Sequence, residues 1–529
     1  MKKKALIVML IAVFFIASAF CGGSNESSGT KASTEKRDSI NLTLNQVVET
    51  LNPFDSANIV DMQLFWQLYE TPFFLSDSGE LIPRLAESYT VSEDGLTYTL
   101  KIKEGVKFHN GATMTAEDMA WSLQYSLKDG PFTKKRNNLG DFESAVAIDE
   151  NTVQIKSKNK SAAFMSNIAL YGYIVCKDEF LKARESGKLG IEWVPYGTGP
   201  YMVSSYNPDS MIVLKAFDDY YRGKARIETV NYQILSDNNT ISVAFEAGDL
   251  DFIVVPTAKW SSISSDSRFN TYLAPTQHTS FFHVNINNND ALSNKLVRQA
   301  ISYGIDREAM TIIAYDGIAS PAYCMFNPNT VYGGFTLEEM KAAGITTYEY
   351  NPEKAKALLA EAGYPNGVDI GTITCINGSY WEKMSTAFQD NMADIGIKVR
   401  IELADSASCR SLRKEHKYNL ATTGTNYSPD ASYGYQYFRV VTDEERANGV
   451  YSELDLSNQE LNDLYIEAMG ETDGTKRRSL WLDINRIIQD EMYSIPTFYK
   501  AIPYAYQKNL VCEEINTNYY YIYNFYWDN

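Results

Sequence analysis

Cysteine and histidine are scarce in this chain of 529 residues, with six and four copies respectively. Apart from Cys21 the cysteines are Cys176, Cys324, Cys375, Cys409 and Cys512, an odd set at wide spacing with no Cys-x-x-Cys pair, so a disulfide scaffold is not expected. The scattered histidines form no His-Glu-x-x-His, which leaves no metal site and no cofactor to expect. A Gly-x-Ser-x-Gly elbow and a Walker loop are also missing. Positive charge is short as well: 48 Lys and Arg face 66 Asp and Glu for a net −18, and loss of Lys2, Lys3 and Lys4 takes it to −21. Such a surface argues against nucleic acid and against electrostatic docking on anionic lipid. No repeat of fixed period appears, which excludes solenoids and propellers.

Long apolar runs are missing except at the start, where Met1–Lys4 is basic and Ala5–Phe20 is apolar for 16 residues. A membrane-spanning helix needs about 20. The run ends at Cys21 before Gly22, Gly23 and Ser24, so residues 1–20 read as an export signal. Cys21 follows Ser18 and Ala19 in the manner of a bacterial lipobox, whose thiol takes a diacylglycerol. Phe20 stands where that motif has a small residue, and an uncleaved, membrane-tethered signal is the alternative. Residues 21–38 are Gly, Ser, Thr, Asn and charge, too polar to order themselves, and form a flexible tether.

The remainder, about 490 residues, exceeds what one hydrophobic core organises, so two or more lobes are expected. Ile40–Val47 alternates as a strand leading into a loop, and Thr97–Lys103 alternates again. Thr115 with Asp118 predicts a capping box, Gly248 a helix end after Asp237–Ala247, and Pro352 with Gly363 the two ends of one helix. Strands are predicted at Thr279–Asn285 and Ile397–Leu403, and helices at Ser293–Tyr303, Trp381–Ile395, Leu461–Met469 and Lys476–Met492. The pattern is mixed α/β.

Several segments then fall in a recognisable order: Pro83–Ser88, Ser92–Thr99, Gly105–Gly111, Thr115–Asp118, Gly197–Tyr201, Asp219–Tyr221, Ala247–Asp251, Val297–Tyr303, Ile305–Ala309, Asn351–Ala355, Leu358–Tyr364 and Gly396–Lys398. Together they resemble the family 5 extracellular solute-binding proteins, the peptide- and nickel-binding group. The motifs themselves read as scaffold. Gly197-Thr-Gly-Pro200 makes a tight turn, either a hinge between lobes or an ordinary turn. Asp306 and Arg307 read as scaffold ion pairing, and His109 as a hydrogen-bonding residue of a turn.

The resemblance implies a type II periplasmic-binding-protein-like α/β fold, two lobes around a ligand cleft with an extra inserted domain. Lobe I would combine residues 38–65, 196–279 and 498–529, the inserted domain 66–195, and lobe II 280–497, with hinges near Asn285 and Pro496. It also implies a non-enzymatic receptor that delivers a solute to the permease and ATPase subunits of an ABC importer. The solute is read as a peptide; an oligosaccharide, a metal chelate, or a signalling role for the bound peptide are the alternatives, and a secreted hydrolase is the rival outside the class. The chain is expected as a monomer on the outer face of the cell membrane, anchored through lipid at Cys21.

Ligand residues follow from the same resemblance. The family's peptide-amine anchor, an aspartate, falls on Asn426, with Asp430 as the alternative after a shift of register. A neutral amide forms weaker bonds with an ammonium than a carboxylate does. Asn45, Gln46 and Val47 would supply backbone contacts from the facing lobe, Tyr427 an aromatic wall, and Arg410 and Arg413 a seat for a C-terminal carboxylate. Tyr433, Tyr435 and Tyr437 line either the cleft or the core.

Overall fold

Alternation in Ser-Ile-Asn-Leu-Thr-Leu builds the first strand, Ser39–Leu44, which buries Ile40, Leu42 and Leu44 and pairs in parallel with Thr229–Ile234. The computed structural model describes residues 37–56, 58–129, 142–188, 193–207, 209–425, 430–515 and 520–528. The expected export signal, Cys21 and nearly all of the tether lie outside them. Asp38–Asp528 forms one compact unit.

An 11-stranded mixed sheet runs through that unit. Its order is Ile397–Ala404, Val368–Ile376, Leu420–Gly424, Phe269–Val284, Ser494–Gln507, Phe252–Val254, Ser39–Leu44, Thr229–Ile234, Met211–Ala216 and Tyr201–Asn207, with Ser320–Pro321 paired to the side of Ser494–Gln507. The two long strands, Phe269–Val284 and Ser494–Gln507, are antiparallel neighbours at its centre. On one side of them lies a core containing Leu42, Leu64, Leu214, Val230 and Phe525. On the other side are two more, one around Phe282, Ile301, Phe388 and Ile397, the other around Phe326, Tyr465 and Trp481. A separate four-stranded antiparallel sheet, Ala86–Val91, Thr97–Ile102, Thr152–Ser157 and Phe142–Asp149, closes a further core around Leu100, Met119, Ile155 and Phe164.

Local chemistry sets the helix ends. Thr115 accepts from the Asp118 N–H while Asp118 accepts from the Thr115 N–H, which starts Ala116–Gln124 as the capping box predicts. Gly248 at φ +85° stops Asn238–Ala247. The expected helix Ser293–Tyr303 is divided: Asp290–Ser293 is a short turn, and Asn294 accepts from the Leu296 N–H to start Lys295–Tyr303. The predicted strand at Thr279–Asn285 is the end of a much longer one, because Phe269–Gln277 breaks apolar alternation and is held by its partner strand instead.

Arg307 departs from the ion pair expected of it. Asp306 caps helix Arg307–Tyr315 by accepting from the Ala309 N–H, while the buried guanidinium donates to the carbonyls of Pro496, Ser302 and Tyr348. This motif pins a helix to the second long strand.

The Gly197–Pro200 turn is defined by close approach. Gly199 N–H donates to the Leu68 carbonyl at the end of helix Ile59–Leu68, and a Cβ on Gly197 would sit 2.1 Å from that same oxygen. His109 clamps the other side: its backbone N–H donates to the Gly197 carbonyl and its Nε2–H to the Gly199 carbonyl at 3.0 Å. Burial lowers its pKa to about 4, so the ring is neutral, as suits a turn residue.

Glu70 lies beside this turn and accepts from the hydroxyls of Tyr220 (2.9 Å), Tyr221 (3.1 Å) and Thr198 (3.3 Å). Burial outweighs these bonds and pushes its carboxyl up to about 7. The folded chain therefore keeps a proton that the unfolded chain releases near the ordinary carboxylate range. This stabilisation is complete below about pH 4.5 and is lost as pH rises through about 7, a change of roughly 3 kcal/mol. Glu70→Gln is expected to flatten that part of the profile; melting curves between pH 4.5 and 8 that keep the wild-type slope would refute it.

Candidate functional site

The two long strands lose register between Pro275 and Thr279: Pro275 pairs with Ala501 and Thr279 with Tyr499, so Thr276, Gln277 and His278 face the single residue Lys500. Such a bulge bends the sheet and re-aims side chains. It lies several residues from the hinge positions expected near Asn285 and Pro496. Thr276 Oγ1 donates to the Lys500 carbonyl at 2.6 Å and accepts from the His278 N–H. Thr425 staples the opposite edge, accepting from the Thr279 N–H at 2.7 Å and donating to the Gln277 carbonyl at 3.0 Å. These polar groups are all buried, so the hydrogen bonds fix the bulge instead of water.

Around the bulge stands an aromatic wall. The Lys500 ammonium lies 4.7 Å from the Tyr380 ring centroid and 5.4 Å from that of Tyr315. The Trp381 ring lies tilted against that of Tyr380, with centroids 4.4 Å apart, and 6.4 Å from that of His278. Burial, and next the Lys500 charge, drive His278 to the neutral form.

A cavity of about 460 Å³ opens where the four-stranded layer meets helix Gly474–Glu491, with Glu93, Lys160, Tyr332, Asp430, Glu471 and Arg477 in its wall. The Ala162 N–H donates to the Met469 carbonyl and closes one side. The cavity is tied to the bulge by a short run of chain: Asn329 Nδ2 donates to the Thr276 carbonyl, and Val331 and Tyr332 line the cavity.

The residues singled out in the sequence are not gathered at one point. Asn45, Gln46 and Val47 are exposed in the loop that leaves Ser39–Leu44, with Val47 52% exposed. Arg410 is exposed on helix Ser406–Lys414. Arg413, one turn on, is half-buried, donates to Glu453 at 3.2 Å and reaches the Thr422 carbonyl. Among the described residues no hydrogen bond joins Asn45–Val47 to either arginine. Asn426 and Tyr427 lie outside the described residues. Tyr433, Tyr435 and Tyr437 pack on the core around Phe326 and Trp481, and Tyr435 donates to Asn462.

Asp430 is engaged on both oxygens. Arg477 donates to Oδ2 at 2.8 Å and to Oδ1 at 3.0 Å, and Oδ1 also accepts from the Ser432 N–H and hydroxyl. Both members are buried, with Arg477 stacked 5.1 Å from the Tyr332 ring. An incoming ammonium would have to displace a bidentate guanidinium.

Sequence reasoning passed over Lys500, Thr425 and Arg477. For Lys500 a signal existed: it is the one charge in the otherwise uncharged run Ser494–Tyr506. Thr425 and Arg477 carry no such mark.

A long strand pair shared by cores on both sides, a bulge at its centre and a cavity beside helix Gly474–Glu491 frame the candidate site. The chain belongs to the bacterial extracellular solute-binding proteins, family 5, whose model for the middle region matches residues 80–445. It is similar to the glutathione-binding protein GsiB of Escherichia coli K12, 26% identical over 468 residues that cover 87% of this chain and 89% of that protein. Its fold matches that of HbpA2 from Haemophilus parasuis, with TM-score 0.82 at 24% identity over 93% of this chain and all of that one. It also matches the periplasmic binding protein DppA from Helicobacter pylori in complex with the peptide STSA, with TM-score 0.74 at 22% identity over 93% and 99% of the two chains. The fold is that of type II periplasmic binding proteins. The chain is a solute-binding receptor of the ABC-transporter type, of an extracytoplasmic family whose members work with permeases and ATPases. Its relatives bind solutes and are not enzymes. Among the described residues no helix is long and apolar enough to cross a membrane.

Proposed function

We propose that this receptor captures a short peptide between two lobes and presents it to the permease of an importer. The observation that carries the reading is the cavity: about 460 Å³ is the size of a small-ligand site, and its wall, drawn from the inserted 66–195 on one side and from 280–497 on the other, offers Lys160, Glu93 and Glu471, charges of both signs. A zwitterion matches such a wall, whereas a neutral sugar has no use for it. A relative named for glutathione, itself a peptide, that matches over most of both chains adds support.

In this reading 38–65, 196–279 and 498–529 form one lobe, 280–497 the other, and 66–195 an insertion. The distribution of cores supports the division, although Tyr173, Val175 and Phe180 pack with the first lobe. Asn45–Val47 contributes backbone from the first lobe, while the Arg477 pairing makes Asp430 a scaffold for the cavity wall instead of an amine anchor. Arg413, held by Glu453, positions Thr422. The chain acts as a monomer held at the membrane by lipid on Cys21.

Mass spectrometry of protein purified from its own host's membranes tests both parts. The native spectrum is expected to show a retained peptide, and the intact mass an acyl group on Cys21. A retained sugar would overturn the peptide reading, and an unacylated Cys21 the anchor.

A further inference from the structure

Lys500 is unusual in this acidic protein because, among the described residues, no carboxylate pairs with it. Among the described residues no carboxylate, carbonyl or hydroxyl accepts a hydrogen bond from its ammonium, and its neighbours are the Tyr315 and Tyr380 rings. The carboxylates nearest these rings in the chain have other partners: Asp316 accepts from the Thr257 hydroxyl at 2.6 Å, and Glu382 from the Gly378 N–H at 2.8 Å. His278 opposite is neutral. A cation withdrawn from water without a counter-charge costs stability, and two tyrosine faces return only part of it.

The site is open on one side. Ile495, Pro496, Thr497 and Phe498 are buried, whereas Tyr499, Lys500, Tyr315, Tyr380 and Trp381 are partly exposed. Lys500 sits at the bulge, where Thr276 and Thr425 hold the backbone rigid on both sides. A cation on a fixed strand, at the point where the chain passes between halves, is placed to meet a ligand before it meets anything else.

We propose that Lys500 is the seat for a carboxylate of the bound solute, with Tyr315 and Tyr380 holding its ammonium in position and Trp381 packing against the adjoining part of the ligand. The inference rests on the peptide reading and gives it a polarity: the free C-terminus, or an acidic side chain, lies at the bulge. Burial lowers the ammonium to about 8, so at neutral pH it remains charged and able to pair. A carboxylate arriving there supplies the missing charge and gains a bond that water screens little, since charge-assisted bonds are about twice as strong as neutral ones.

The test uses a pool of synthetic di- to pentapeptides as free acids and the same pool as C-terminal amides, with retention on the full mature protein read by mass spectrometry and affinity of the best-retained members by titration calorimetry. The wild type is expected to favour free acids at least tenfold. Lys500→Met should abolish that preference without lowering the melting temperature, because it removes an uncompensated cation, and Lys500→Arg should restore it in part. Equal wild-type affinity for acids and amides, or an unchanged preference in Lys500→Met, overturns the assignment while leaving peptide binding intact. A melting temperature that falls in Lys500→Met, with the preference kept, makes the lysine a packing element only. Retention of neither pool by the wild type refutes the peptide reading itself and this inference with it.

Discussion

Asp430→Ala is expected to lower unfolding stability by about 3–5 kcal/mol, the cost of leaving one partner of a buried ion pair alone. Arg477 is almost fully buried, and with Asp430 gone its guanidinium keeps the Ala468 carbonyl and the Ser432 hydroxyl but no counter-charge. The same substitution also removes the acceptor for the Ser432 N–H that begins the turn Ala431–Gly434. If Asp430 instead anchored a ligand amine, the variant would melt close to wild type and lose affinity. Denaturant unfolding together with a peptide titration separates the two: a large stability loss is expected, most of which the double variant Asp430→Leu, Arg477→Met recovers, since an apolar pair of similar shape leaves no buried charge.

Gly197→Ala is expected to cost on the order of 3 kcal/mol or more, at the upper end for overpacking, because the obstacle is backbone. The new Cβ would lie 2.1 Å from the Leu68 carbonyl oxygen and 2.4 Å from the Tyr69 ring, in a place where His109 closes the opposite side. Neither helix Ile59–Leu68 nor the His109 turn can retreat without giving up buried contacts. Urea unfolding of the variant should show a lower midpoint. An unchanged midpoint would mean that the turn shifts freely, as an interlobe hinge does.

These two sites show what a sequence reveals and what it hides. The Thr115–Asp118 box, the Pro352 start and the Gly248 stop were legible because each is settled within a few residues by hydrogen bonds or backbone freedom. The family order of motifs was legible because many local signals coincide. The bulged strand pair was not: Phe269–Gln277 contains Pro275 and no clean alternation, and its strand exists only because Ser494–Gln507, more than 200 residues on, lies beside it. Asp430 looked like a free loop carboxylate since its partner stands 47 residues away. Gly197 was visible as a turn residue, but the reason for it, the carbonyl of Leu68, belongs to another element. The candidate ligand residues suffered most, because a binding site is assembled by the tertiary fold from positions that share no local pattern.

The central claim, that this receptor takes a short peptide into the space between its halves, is tested most directly by titration calorimetry on ligand-free protein with glutathione, a mixed tripeptide pool and maltotriose. Saturable one-to-one binding of a peptide, with no heat from the sugar, is the predicted result. Binding of the sugar and of no peptide would contradict it.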